Sequence, residues 1–207
     1  MLLPVLDGHA GSDRDFIGIA ENAEEIIKYI DERCGGSVFL MGGVSLGAQI
    51  LLEILARRKD VCRYAVIESA SVIPSKMTAA LIAPSLSACY GLIRQKWFAR
   101  LQFRYLRIDP ELFEDYYRDT CAITKENMTA FLKASLSYAE NESLRACGAR
   151  CAVFVGAREQ RDMKRSAERL HALLPNSTLE VKQDLYHGEF SLNRPHEYAE
   201  TVRGMIL

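Results

Sequence analysis

The 207 residues contain a single tryptophan, four histidines and six prolines, with no internal repeat, low-complexity stretch or flexible linker. Charge of one sign is not in excess. Twenty-six Lys and Arg face 27 Asp and Glu, a net charge of −1, so neither nucleic acid nor a membrane is an expected partner. No apolar run approaches the roughly 18 residues of a membrane span. Met1-Leu2-Leu3-Pro4-Val5-Leu6 meets Asp7 too early to form a signal-peptide core and carries no basic leader. The resulting expectation is a cytoplasmic protein. Six cysteines, at positions 34, 62, 89, 121, 147 and 151, lack metal-ligand rhythm, and Cys147 and Cys151 have no second pair to complete a tetrahedral site. No metal and no cofactor is expected, and the thiols are read as free and mostly buried.

What is present is core. Hydrophobic residues make up 49% and charged residues 26% of the chain, which excludes wholesale disorder. The length suits one domain, 1–207, or one domain carrying an insertion.

The first third alternates strand and helix. Leu2–Leu6 reads as a strand closed by the turn Asp7-Gly8-His9-Ala10-Gly11. Ile19, Ala23, Ile26, Ile27 and Ile30 recur at helical spacing, and Gly35-Gly36 ends that helix. Val38–Met41 is a buried-type strand, followed by Gly42-Gly43-Val44-Ser45-Leu46-Gly47 and a helix with Ile50, Leu51, Ile54 and Leu55 inside. Tyr64–Ile67 is the next strand. Strands separated by such helices imply parallel pairing with right-handed crossovers.

From about Pro74 to 148 no strand signal appears, and most of the bulky aromatics fall there, among them Trp97 and Phe98. A helical block inserted between strands of a parallel sheet reads as a cap, with additional core helices as the alternative. The strand–helix pattern resumes with Cys151–Val155, a helix holding Ala167, Leu170 and Leu173, a short strand Leu179–Val181, and a last helix from Pro195 to Ile206.

Gly43-Val44-Ser45-Leu46-Gly47 matches G-x-S-x-G, a pattern that arises by chance in roughly one chain of this length in twenty. Its setting adds weight, because an apolar strand runs into it and an amphipathic helix leaves it, as a nucleophile elbow requires. The helix N-terminus then points at developing negative charge. A serine needs a base. His171 and His196 sit on helices and read as solvent-facing, and His9 reads as a structural hydrogen-bond partner. His187 follows the last strand, in a loop that opens on the same sheet edge as Ser45. The orienting carboxylate should leave the preceding strand: Glu159 lies three residues past Gly156, whereas Asp162, the alternative, is already entering a helix. The order Ser45, Glu159, His187 is that of the α/β-hydrolases.

These segments together resemble a capped α/β-hydrolase. Val5-Leu6-Asp7-Gly8-His9-Ala10-Gly11-Ser12 is similar to the strand and turn that precede the elbow in that superfamily. Gly156-Ala157-Arg158-Glu159 resembles the acid-bearing segment, and Tyr186-His187-Gly188-Glu189-Phe190-Ser191-Leu192 the histidine loop of small bacterial hydrolases. The resemblance implies an α/β parallel sheet with a helical cap and a serine hydrolase acting on a small ester, thioester or amide. Ser45 would be the nucleophile, His187 the base, Glu159 the acid, and the Leu46 amide an oxyanion donor. Trp97 and Phe98 would line an apolar pocket of the cap.

One departure bears on this. Family members place a further strand, an oxyanion-bearing loop and a helix ahead of the segment where this sequence begins. Loss of one oxyanion donor typically costs about 10²–10³ in turnover. A shortened form of a longer protein, pairing of Leu2–Leu6 directly with the serine strand, or a homodimer that covers the gap would each account for it. Direct pairing, with the Gly8-His9 turn near the oxyanion position, is the structural expectation. The alternative function is a non-catalytic hydrolase-like protein that binds a ligand or partner.

Overall fold

The computed structural model describes all 207 residues. In chain order the elements are α1 (Ile19–Arg33), β1 (Val38–Val44), α2 (Leu46–Arg57), β2 (Cys62–Glu68), α3 (Lys76–Ile93), α4 (Lys96–Leu106), α5 (Phe113–Ala122), α6 (Lys125–Ser137), β3 (Arg150–Gly156), α7 (Arg161–Leu173), β4 (Ser177–Lys182), α8 (Glu189–Asn193) and α9 (Pro195–Ile206). The chain divides into two compact units: Ile19–Pro74 with Tyr138–Leu207, and Met1–Gly18 with Ser75–Ser137.

The first unit holds a four-stranded parallel sheet in the order β1-β2-β3-β4. Its two central strands are buried along nearly their whole length, as the runs Ala65-Val66-Ile67 and Cys151-Ala152-Val153-Phe154-Val155 require when both faces are covered. The edge strands β1 and β4 are buried only in part. Because each strand adds on the same side of the last, right-handed crossovers put α2 and α7 on one face. The other face is closed by α9: Val66, Ala152, Phe154, Leu185 and Phe190 form its core, with Leu40, Tyr198, Val202 and Met205 packed against them. Ile50, Leu52, Ile54 and Leu55 of α2 are almost fully buried; each contributes roughly 1.5–3 kcal/mol by burial. The parallel registers place Val44, Glu68 and Phe154 side by side, so the C-terminal ends of β1, β2 and β3 form one edge.

The second unit is helical. Helix α3 packs on α6 through Leu86, Ile93 and Met128, while α4 packs on α5 through Ala99, Phe103 and Phe113. The helical block ends at Ser137, and Leu144, Cys147 and Ala149 are buried residues of the sheet unit, so the block is shorter than the expected 74–148. The first 18 residues group with these helices. His9 stacks on Phe131 at 4.8 Å, and Asn127 accepts the Phe16 N–H at 2.9 Å while donating to Asp15 at 3.0 Å.

Three expectations are corrected here. Leu2–Leu6 forms no strand, and β1 is the edge of the sheet with no strand paired beyond it. The local reason is that Pro4 supplies no N–H for a ladder, while the segment beyond it is drawn into a turn: the Gly8 N–H bonds to Arg14 C=O at 2.7 Å and the His9 N–H to Leu6 C=O at 3.2 Å. The second is the buried-type reading of Val38–Met41: as the edge strand, β1 has no fully buried residue, and Phe39 is exposed. The third concerns long apolar segments. Helix α3 is 18 residues long with a mean hydropathy of 1.2, long and apolar enough to cross a membrane, and only 17% of it is buried. Ala, Ser, Thr and Gly interspersed among its larger residues keep it from reading as a continuous apolar run.

Candidate active site

Ser45 sits where β1 turns into α2, with φ 53° and ψ −117°. A non-glycine residue is held there only when its surroundings over-determine the backbone. The constraints are visible. The Ser45 N–H donates to Glu68 C=O at 3.0 Å, and its own C=O accepts from the Gln49 N–H at 3.1 Å. A Cβ on Gly43 would run into the Gly47 carbonyl, so the first glycine of the motif permits the tight return of the helix over the strand. Leu46 is the first residue of α2, and Ser45 is half-buried.

Glu159 lies in the loop after β3. Its side chain is 1% exposed, against 49% for His187. One carboxylate oxygen accepts from the Gly156 N–H and the Ser69 hydroxyl, both at 2.8 Å; the other meets His187 Nδ1 at 2.9 Å. Burial works to raise this carboxyl, but the bonds from His187, Gly156 and Ser69 outweigh it, and Glu159 is held below the ordinary carboxylate range. With Nδ1 directed at a carboxylate, the imidazole leaves Nε2 for proton transfer. Asp162 lies in the first turn of α7 and pairs with Arg165 at 3.2 Å, both exposed.

The His187 loop is tied down on both sides of the ring. Tyr186 N–H donates to Glu189 at 2.8 Å, Gly188 N–H to the Ser69 hydroxyl at 3.2 Å, and Phe190 N–H to Glu68 at 3.1 Å; the Ser191 N–H reaches both Glu68 oxygens at 3.3 Å. A Cβ on Gly188 would lie 3.3 Å from Val44 Cγ1, so the residue before Ser45 and the residue after His187 are neighbours. Burial raises the Glu68 carboxyl, the Ser191 and Phe190 bonds offset this in part, and nearby Glu159 adds to the rise.

Sequence reasoning missed Glu68 and Ser69. The available signal was an acid and a hydroxyl ending a strand whose other residues are nearly all apolar. Ser69 shares the positive φ of Ser45, at 53°. The other three histidines take no part in this cluster: His171 bonds Ser177 on the surface, His196 is exposed on α9, and His9 belongs to the helical unit, its Nδ1 3.1 Å from the Asp7 carbonyl. Of the expected pocket residues, Phe98 is half-buried in the helical core and Trp97 is exposed. The six cysteines are unpaired by disulfide, with Cys62, Cys147 and Cys151 buried.

No protein-family model and no curated protein sequence matches the chain. Its fold has many solved counterparts. An esterase from Exiguobacterium antarcticum superposes with a TM-score of 0.78 at 16% identity, over 98% of this chain and 80% of that one. A hydrolase from Pseudomonas aeruginosa gives 0.77 at 15% identity, over 97% and 77%. A thermophilic esterase from Thermogutta terrifontis gives 0.74 at 16% identity, over 98% and 78%. The chain has the α/β-hydrolase fold.

Proposed function

We propose that the protein is a serine hydrolase that cleaves a small carboxylic ester through an acyl-enzyme on Ser45. The observation that carries this reading is the 2.9 Å bond between buried Glu159 and His187 Nδ1, on a loop whose Gly188 abuts Val44, the residue before the strained serine. His187 Nε2 takes the Ser45 proton as Oγ attacks the carbonyl carbon. The Leu46 N–H, at the N-terminus of α2, meets the oxyanion. Collapse breaks the ester C–O bond, and the same proton passes from His187 to the departing alkoxide. Water, deprotonated by His187, then releases the acid and restores Ser45. Glu159 fixes the imidazole tautomer and stabilises the transient imidazolium. The esterases and hydrolases that share the fold are consistent with this chemistry.

Fluorophosphonate labelling followed by intact mass tests it. A single adduct, absent from Ser45→Ala, is the expected result. No adduct on a folded sample would overturn the reading in favour of a non-catalytic, ligand-binding hydrolase-like protein.

A further inference from the structure

The near-neutral net charge hides a local asymmetry. From Ser75 to Ile108, through α3 and α4, the chain carries Lys76, Arg94, Lys96, Arg100, Arg104 and Arg107 and not one Asp or Glu. Between Lys76 and Arg94, α3 has no charge at all, and most of it is unburied. Its exposed side includes Met77 and Leu81. Helix α4 buries Ala99 and Phe103 inward, while Trp97, Leu101 and Tyr105 recur at four-residue spacing on the outer side, 63%, 61% and 83% exposed. Arg100 and Arg104 lie between them in sequence and are exposed as well, the Arg100 guanidinium resting 5.1 Å from the centre of the Phe113 ring. The acids of neighbouring α5 are engaged within the unit: Glu114 with Lys96 at 2.8 Å, and Asp115 and Asp119 with Arg118 at 2.6 and 2.9 Å.

We propose that α3 and α4 of the helical unit dock on an anionic lipid surface. A helix with Trp, Leu and Tyr on one side and arginines beside them fits the boundary between headgroups and acyl chains. Trp and Tyr favour that boundary because one end of each ring system is apolar and the other polar. Arg stems lie along the apolar layer while their heads reach phosphate. Spanning is the wrong geometry for α3, because its Leu86–Ile93 side is packed in the helical core. Self-association through this face is disfavoured, since a second copy would bring another set of cations to a stretch that holds no Asp or Glu to pair with them. An anionic surface complements both the charge and the apolar stripe. This inference stands apart from the proposed chemistry at Ser45.

Trp97 is the only tryptophan, so its emission reports this face without a label. The intact chain is titrated with vesicles of phosphatidylglycerol and phosphatidylcholine, and with vesicles of phosphatidylcholine alone. A blue shift and co-sedimentation with the anionic vesicles, weakened by salt, are expected. Arg100→Gln and Arg104→Gln should each lower the partition coefficient roughly five-fold, equivalent to ~1 kcal/mol per cation, with an unchanged far-UV spectrum. Three outcomes overturn the proposal: no shift on anionic vesicles, equal binding to phosphatidylcholine alone, or a blue shift that follows protein concentration without lipid. The last would assign the face to a second copy of the chain.

Discussion

The Ser69 hydroxyl donates to the Glu159 carboxylate at 2.8 Å and accepts the Gly188 N–H at 3.2 Å, so one buried side chain joins the acid to the loop that carries His187. Its neighbour Glu68 holds the next turn of that loop through the amides of Phe190 and Ser191. Two consecutive residues at the end of β2 thus set where the imidazole stands.

Ser69→Ala removes a hydroxyl bonded to a carboxylate, a kind of bond worth about 1.5–3 kcal/mol. Turnover of a p-nitrophenyl ester should fall by roughly ten-fold to a hundred-fold, with little change in KM and with fluorophosphonate labelling slowed rather than abolished. An unchanged kcat would show that Glu159 is adequately held by Gly156 and His187 alone.

Glu159→Gln should lower kcat by about 10²–10⁴, because the imidazole loses its fixed tautomer and the charge opposite its cationic form. Asp162→Asn, which only loosens a surface pair with Arg165, should leave kcat within about two-fold, as surface pairs contribute little. The reverse ranking in steady-state kinetics would move the acid to Asp162.

Stability should depend on pH with opposite signs at the two buried acids. Glu159 titrates below its ordinary value when folded, so its stabilising contribution is complete above about pH 4.3 and is lost as pH falls through the lowered value. Denaturant unfolding of wild type and Glu159→Gln between pH 3 and 7, an interval set by about that carboxylate value, should show the wild-type advantage shrinking toward the acid end.

Glu68 runs the other way. Its carboxyl is raised when folded, so its contribution is most favourable at low pH and declines as pH rises from the ordinary carboxylate range through the raised value. Glu68→Gln, a mimic of the protonated form, should gain on wild type across that rise. A difference independent of pH would mean that Glu68 titrates normally.

Gly43→Ala places a Cβ against the Gly47 carbonyl, a backbone atom that cannot step aside. A loss of roughly 1–3 kcal/mol is expected for such overpacking, together with slower labelling of Ser45, since the strain falls on the turn that presents it. Thermal unfolding and labelling rate, measured on one sample, check both.

Much of this arrangement was legible in one dimension. Buried parallel strands are continuous apolar runs, so β2 and β3 announce themselves, whereas β1 has the same apolar look but is a half-buried edge strand. The strand–GVSLG–helix succession marks Ser45 as the candidate nucleophile, and position after a strand marks Glu159 and His187, which lie 2.9 Å apart in the structure. Local pattern misled where context overrode it. Leu2–Leu6 has strand-like composition, but a strand exists only with a partner, and the turn after Pro4 satisfies its own backbone groups instead. Glu68 and Ser69 were hidden for a related reason: only the register of β2 between β1 and β3 places their side chains at the edge where the loops meet.

By itself, then, the sequence determined the α/β class, the order of the elements and the residue types available for chemistry, because these follow from hydrophobic period and turn chemistry along the chain. Tertiary structure alone decided that β1 is an edge strand, that Glu68 and Ser69 seat the loop, and that Trp97, Leu101 and Tyr105 stay exposed. Each of these depends on which groups far apart in the chain come within hydrogen-bonding or packing distance, a quantity with no one-dimensional signal.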